Sequence, residues 1–467
     1  MSDATLWLYH RLPSAARSAA ASLRGYYLRR WRYGRETDRL IAEALERDGW
    51  TATQWDRWRE QRLAYVLHRA ATRVPYYRDQ WQARRRRGDR ASWEDLANWP
   101  LLEKEDVRAH PTAFLADDCQ PRRMWQVHTS GTTGTSITIW RSRETERALY
   151  ALAAARRRRW YGVSHRDRCA LLGGQLVTPI SQRRPPFWVW NAGLQQLYMS
   201  SYHLAPAFLP AYLDALARYR VTYLEGYTSS LYALAQEALQ LGRRDLSVAV
   251  AIPNAEPVED YQRRTIAAAF QCAVRETYGM AEGVAAASEC PAGRLHLWPE
   301  VGLLESVDDG ELVATGLLNA DMPFIRYRIG DRGALLASPS PTPCSCGRTL
   351  PALAALHGRV DDVLFTPDGR RVGRLDPVFK ADLPVREAQI VQDALERVRI
   401  RYVPAAGFTP AAARTLVERL QARMGPVAVV LEPVTEVPRT AAGKFRAVVC
   451  NLSPAERAGS VHEPCAR

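Results

Sequence analysis

Apolar residues recur at three-to-four spacing early in the chain, the period of helices that bury one face. Leu12, Ala16, Ala19 and Leu23 mark one such stripe within residues 1–35, with arginines between them. The pattern predicts a helix packed on the main body, with a membrane-surface helix as the alternative. A second long helix is predicted through ATQWDRWREQRLAYVLHRAATRV (52–74), with Trp55, Trp58, Leu63, Val66, Leu67 and Ala70 on one face. From about residue 125 the texture changes. Short β-rich runs, SITIW (136–140), RCALLGG (168–174), VTYLEG (221–226), SVAVAIP (247–253) and AVRETYG (273–279), alternate with helical SSLYALAQEALQLG (229–242) and VEDYQRRTIAAAF (258–270). That alternation predicts an α/β class.

A β-rich section follows, ending in FIRYRIGDRGALLA (324–337), and then a Pro- and Ser-rich stretch, ASPSPTPCSCGRTLPA (337–352). Beyond HGRVDD (357–362) the chain carries further strands and helices, including RVRIRYV, PAAARTLVERLQARM and VAVVLEP. With 467 residues, more than one domain is expected. The reading is a large N-terminal domain over 1–357, helical in its first 80 residues, and a smaller one over 358–467.

Composition adds three limits. No run approaches the length of a membrane span and the N-terminus lacks a continuous apolar core, so neither a transmembrane helix nor a signal peptide is expected. Eight cysteines over this length do not make a secreted disulfide framework, which points to the cytoplasm. The net charge of +14 rests almost wholly on arginine: of 64 basic residues only Lys104, Lys380 and Lys444 are lysines. Runs such as ARRRRGDR (83–90) and Arg156–Arg159 therefore read as solvated faces, and no nucleic-acid-binding motif accompanies them. A lysine that persists in such a chain marks a place where a compact ammonium does what a guanidinium cannot.

The chemistry concentrates in five stretches. TSGTTG (129–134) can turn backbone N–H groups toward an anion, although its Gly134 is followed by Thr135 and not by the lysine of a Walker loop. ETYGMAEG (276–283) offers a flat ring, Tyr278, and a carboxylate, Glu282, suited to a hydrated Mg²⁺. RYRIGDRG (326–333) offers Asp331 to ribose hydroxyls; GRVDD (358–362) stands at the domain boundary; PRTAAGKFR (438–446) carries Lys444. Each alone reads equally well as a Gly/Asp turn.

In this order and at these separations the stretches resemble the adenylate-forming superfamily of acyl-CoA synthetases, peptide-adenylation domains and luciferases. The chain is most similar to its phenylacetate–CoA ligase-like branch, in the group associated with capsular polysaccharide gene sets. RVPYYRDQW (73–81), WPLLEKEDVR (99–108), SSYHLAP (200–206), GYTSSLYALA (226–235) and MPFIRYRIGD (322–331) carry the likeness further. The resemblance implies a large domain of mixed sheets and helices joined by a hinge at Asp361 to a mobile α+β domain. It implies that Thr129, Ser130, Gly131, Thr132, Thr133 and Gly134 cradle the ATP phosphates. Asn254, Ala255, Glu256, Glu276, Thr277 and Tyr278 would line the adenine pocket, with Asp331 on the ribose and Arg359 reaching the nucleotide. Lys444, Glu282 and Thr133 form the implied catalytic set, with Mg²⁺ on Glu282. The acid would sit near His128, Trp188, Tyr202, His203, Tyr227 and Ser230, where His203 serves either as a base or as a partner of a backbone carbonyl. Gly283 is smaller than the residue expected there, which would reshape the acyl pocket.

The implied reaction joins a carboxylic acid to a thiol such as coenzyme A through an acyl-adenylate. Transfer to an amine, or a non-catalytic nucleotide- or membrane-binding scaffold, are the alternatives. Separately, Cys290 and His296 (C-x5-H) with Cys344 and Cys346 (C-x-C) are spaced for a closed Cys₃His zinc site of structural type, or are four reduced side chains. The acid's identity and the oligomeric state are not legible.

Overall fold

A computed structural model describes residues 3–128, 137–179, 182–204, 206–256, 258, 260–307, 310–336, 343–359, 364–367, 371–372, 375, 378, 383–404, 407–435, 437, 448–453 and 456. The early periodicity becomes helices Asp3–Arg11, Ser14–Arg32, Arg35–Arg47, Ala52–Arg73 and Pro75–Arg86. Thr51 caps Ala52–Arg73 reciprocally with Gln54, a contact that contributes about 1 kcal/mol. Trp55, Val66, Leu67 and Ala70 of that helix are buried as its spacing predicts, and burial of Val66 and Leu67 stabilises the fold by about 2 kcal/mol each.

The α/β texture resolves into two large sheets. The first has six strands in the order Trp188–Asn191, Gln196–Ser200, Cys169–Gly173, Tyr223–Tyr227, Val250–Asn254, Ala273–Val274, parallel except at the Trp188–Asn191 edge. Its core is closed by helices Leu209–Arg218, Thr228–Gln240 and Asp260–Phe270, whose Leu213, Leu231, Leu234 and Ile266 join Ala170, Leu172 and Leu224 of the strands. The second is antiparallel, with seven strands in the order Gly302–Val307, Glu311–Gly316, Tyr327–Leu335, Ala352–Arg359, Leu295–Leu297, Ala286–Glu289, Thr277–Gly279. It shares its core with the helices Ala52–Arg73 and Pro75–Arg86, through Val66, Leu67, Trp81, Phe324 and Tyr327.

AVRETYG, which looks like one strand, is divided between these sheets: Ala273–Val274 ends the first and Thr277–Gly279 begins the edge of the second. The crossover is held by Glu289, which accepts from the Glu276 backbone N–H (2.9 Å) and pairs with Arg263 and Arg275. A smaller α+β unit follows, with strands in the order Ala428–Pro433, Arg397–Pro404, Val385–Ala394, Val448–Cys450 and the helix Pro410–Met424. Its core is drawn from residues between Leu364 and Val448.

One expectation fails. Arg156 and Arg158 are not solvated: Arg156 is fully buried between Asp48 and Glu300, and Arg158 pairs with buried Glu225 at 3.0 Å. Both stand on a π-helical segment, Ala154–Arg158, that continues the helix Arg143–Ala153. The carboxylates that draw them inward lie far away in sequence, so the run itself gives no sign of it.

Candidate functional site

The carboxyl ends of the parallel strands face the start of the antiparallel sheet, and several of the expected residues meet there. Asn254 ends its strand directly opposite Tyr227. Ala255 then takes a left-handed conformation (φ +61°), which costs a side-chain-bearing residue about 1–2 kcal/mol. Thr228 Oγ1 donates to the Glu256 carbonyl at 3.0 Å and holds the turn. Thr277 Oγ1 donates to the Pro253 carbonyl at 2.9 Å, tying the edge of the second sheet to the end of the first.

Two carboxylates are fixed beside this junction, each by a tyrosine. Tyr278 donates its hydroxyl to Asp331 Oδ2 at 2.8 Å, and Tyr327 donates to Glu282 Oε1 at 3.3 Å. Asp331 pairs in register with Arg359 on the neighbouring strand; the Arg359 side chain lies outside the described residues. Glu282 follows Ala281, whose carbonyl accepts from buried Arg141. Gly283 has φ +67°, and a Cβ there would stand 3.0 Å from Arg141 Nη2. The small residue thus has a backbone and packing reason at this point. Tyr327 and Arg141 are the contributors that sequence reasoning missed; Tyr327 lies within the family-like phrase MPFIRYRIGD, whereas nothing near Arg141 marks it.

Of the residues expected around the acid, Trp188 and His203 lie by the strand Gln196–Ser200, and Tyr227 and Ser230 lie at the end of Tyr223–Tyr227, the two strands that flank Cys169–Gly173. Strand order reverses around Cys169–Gly173, the position at which open α/β sheets form a crevice. Tyr227 ends the adjacent strand and Ser230 is buried in the helix that follows. His203 is buried, stacked on Phe187 at 4.6 Å between ring centres, and its Nδ1 lies 2.8 Å from Ser200 Oγ. Trp188 packs edge-on against Tyr212, 5.6 Å between ring centres.

His128 ends the strand Trp125–His128 and pairs in register with Thr138, so both stems of the glycine–threonine stretch are adjacent. Thr129, Ser130, Gly131, Thr132, Thr133, Gly134 and Thr135 lie outside the described residues, as do Asp361, Lys444 and the side chains of His128 and Tyr202.

A second cluster forms where the sequence spacing places it. Cys290, His296, Cys344 and Cys346 bring one ligand atom each to within 4.8 Å of one another. Cys290 and Cys344 sulfurs are 3.6 Å apart, too far for a disulfide, and Cys346 Sγ is 3.4 Å from His296 Nε2. Metal–sulfur bonds of about 2.3 Å in a tetrahedron separate donor atoms by roughly 3.7 Å, so the set fits a zinc-sized ion. His296 Nδ1 lies 3.0 Å from the Leu350 carbonyl, which orients the ring and leaves Nε2 toward the sulfurs. Burial lowers the pKa of this imidazole, and burial pushes the Cys290 thiol up to about 11.

Comparison with known proteins agrees with this architecture. The family model described as the CapK C-terminal domain matches residues 364–451. Protein CapK of Staphylococcus aureus is 28% identical over 250 residues, which cover 52% of this chain and 55% of that protein, so the alignment spans about half of its length. A phenylacetate–coenzyme A ligase of Thermus thermophilus is 27% identical over 356 residues, covering 69% of this chain and 73% of the ligase. Among solved structures, 2-hydroxyisobutyryl-CoA ligase in its postadenylation state superposes with a TM-score of 0.58 at 20% identity, over 88% of this chain and 92% of that one. At that identity the likeness shows the fold. With a family model on its C-terminal part and relatives aligned over half to two thirds of its length, the chain is similar to the adenylate-forming superfamily, in the group of CapK and the phenylacetate–coenzyme A ligases.

Proposed function

We propose that this chain activates a carboxylic acid with ATP, forming an acyl-adenylate and pyrophosphate, and then passes the acyl group to the thiol of coenzyme A. The observation that carries the reading is the pair of tyrosine-anchored carboxylates, Asp331 and Glu282, at the junction of the two sheets beside the Asn254–Glu256 turn. The relatives' names as phenylacetate–coenzyme A ligases support the choice of acceptor.

In this reading the Asn254–Glu256 turn and the Glu276–Tyr278 segment flank the adenine. Asp331, held by Tyr278, accepts from the ribose hydroxyls and fixes the nucleotide's orientation. Thr129 to Gly134 surround the β- and γ-phosphates with N–H and O–H donors, and Thr133 contacts the reacting phosphate. Glu282 would hold Mg²⁺, which supplies charge neutralisation at the phosphates. Lys444 places its ammonium between the substrate carboxylate and the α-phosphate, where two anions meet and negative charge builds in the transition state. Residues 358–467, hinged near Asp361, withdraw Lys444 after the first step and open the carbonyl to the thiol. Tyr227, Ser230 and His203 border the acid. Cys290, His296, Cys344 and Cys346 would hold a structural Zn²⁺, which would link the segments that carry them.

The test is ATP–pyrophosphate exchange over a panel of aromatic, aliphatic and amino acids, followed by addition of coenzyme A. Acid-dependent exchange and a thioester are expected. Exchange followed by transfer only to amines would replace the acceptor, and absence of exchange with every acid would overturn the reading.

A further inference from the structure

We propose that the outer face of the helix Ser14–Arg32, with the arginine groove beside it, docks on an anionic lipid bilayer. Among the described residues the five most exposed large apolar side chains are Leu23, Leu8, Trp7, Tyr26 and Tyr27, from 72% down to 53% exposed, and all lie in the first two helices. In Ser14–Arg32 the exposed Leu23, Tyr26, Tyr27 and Arg30 stand at i, i+3, i+4 and i+7, one continuous stripe. The opposite face is committed to the body. Gly25 sits against Asn191 with no room for a Cβ, Ser22 Oγ donates to the Trp190 carbonyl, and Arg32 stacks on Tyr150 and pairs with Glu146. The helix thus packs on the body, but not through the stripe expected from its sequence: Ala19 and Leu23 of that stripe are exposed, and Arg17, Gly25, Leu28 and Arg32 are buried instead.

At the end of the stripe a groove of about 390 Å³ collects Tyr27, Trp31, Arg30, Arg35, Arg143 and Arg147 from three different helices; Glu36 is the one carboxylate in its lining. Arg143 Nη2 donates to the Tyr27 hydroxyl at 3.2 Å, and Arg147 Nε donates to the Trp31 carbonyl at 3.0 Å, so these cations are held along the apolar stripe. Residues 1–35 carry seven arginines against the single carboxylate Asp3. Guanidinium groups bordering exposed leucine and aromatic rings match a bilayer interface, where phosphates lie directly above acyl chains. Nucleic acid would satisfy the cations and leave Leu23 in water. Among the described residues no helix is long and apolar enough to cross a membrane, so the contact is one of surface seating.

The experiment is flotation of the full chain with phosphatidylcholine vesicles, with and without about 30% phosphatidylglycerol, at low salt and at roughly 0.5 M salt. Two variants accompany it: Leu23→Ser/Tyr26→Ser/Tyr27→Ser and Arg30→Glu/Arg143→Glu/Arg147→Glu. The wild type should float with the anionic vesicles and lose most of that binding in high salt. Each variant should bind at least about tenfold more weakly, while its melting temperature and its ATP–pyrophosphate exchange stay unchanged, because the stripe lies outside the site. Failure to float with anionic vesicles, or undiminished binding in both variants, would overturn the proposal. So would sedimentation in which the serine variant converts a stable dimer to a monomer, since the face would then be a contact between copies. The outcome is independent of the acid or acceptor used by the enzyme.

Discussion

At the scale of single residues, the candidate site depends on groups whose partners lie far away in the chain. Tyr278 and Asp331 are 53 positions apart and share one hydrogen bond. Tyr278→Phe removes a donor to a carboxylate, so the KM for ATP in the exchange reaction should rise about threefold to tenfold, with little change in kcat. Asp331→Ala should raise it further; unchanged KM in both would detach this pair from the nucleotide. Gly283→Ala places a side chain at φ +67° against Arg141 and should destabilise the fold by about 1–2 kcal/mol in urea unfolding. Tyr278, Asp331 and Glu282 were legible in the sequence because they stand in short motifs with recognisable neighbours. Their anchoring was not, since Tyr327 and Arg141 become partners only after two sheets have formed.

The arginine-bearing π-helical segment shows the same limit at the scale of elements. A run of four arginines looks like a solvated face, yet Asp48, Glu225 and Glu300 turn two of them into the centre of the molecule. Arg156→Ala would remove the fully buried cation that Asp48 and Glu300 share, leaving them Arg348 and Arg47 at the edge of the cluster, and should cost about 3 kcal/mol of stability, read from the unfolding midpoint. The cysteine–histidine cluster is the opposite case. Its C-x5-H and C-x-C spacings were readable, and the fold brings the four side chains to one point through the pairing of Leu295–Leu297 with Ala352–Arg359. Metal analysis of the purified chain should find about one equivalent of zinc, lost in Cys344→Ser/Cys346→Ser with a fall in melting temperature. Metal-free protein with an unchanged melting temperature would leave four reduced side chains.

For the whole molecule, two sheets meeting edge to edge create the junction, and the smaller α+β unit carries the stretch with Lys444 in its sequence. The alternation of strands and helices predicted the architecture well. It did not predict that AVRETYG is shared by both sheets, because a strand's neighbours are set by topology and not by its own residues. Lys444→Ala should slow adenylate formation by about a hundredfold or more and largely spare thioester formation from preformed adenylate. Equal loss in both steps would contradict its role in the first. The central claim is that the acid's own oxygen attacks the α-phosphate. A carboxylic acid that supports exchange, labelled with heavy oxygen in its carboxylate, should transfer one labelled oxygen to AMP in a full turnover with coenzyme A. Label found in inorganic phosphate alongside ADP, or AMP free of label, would contradict the account.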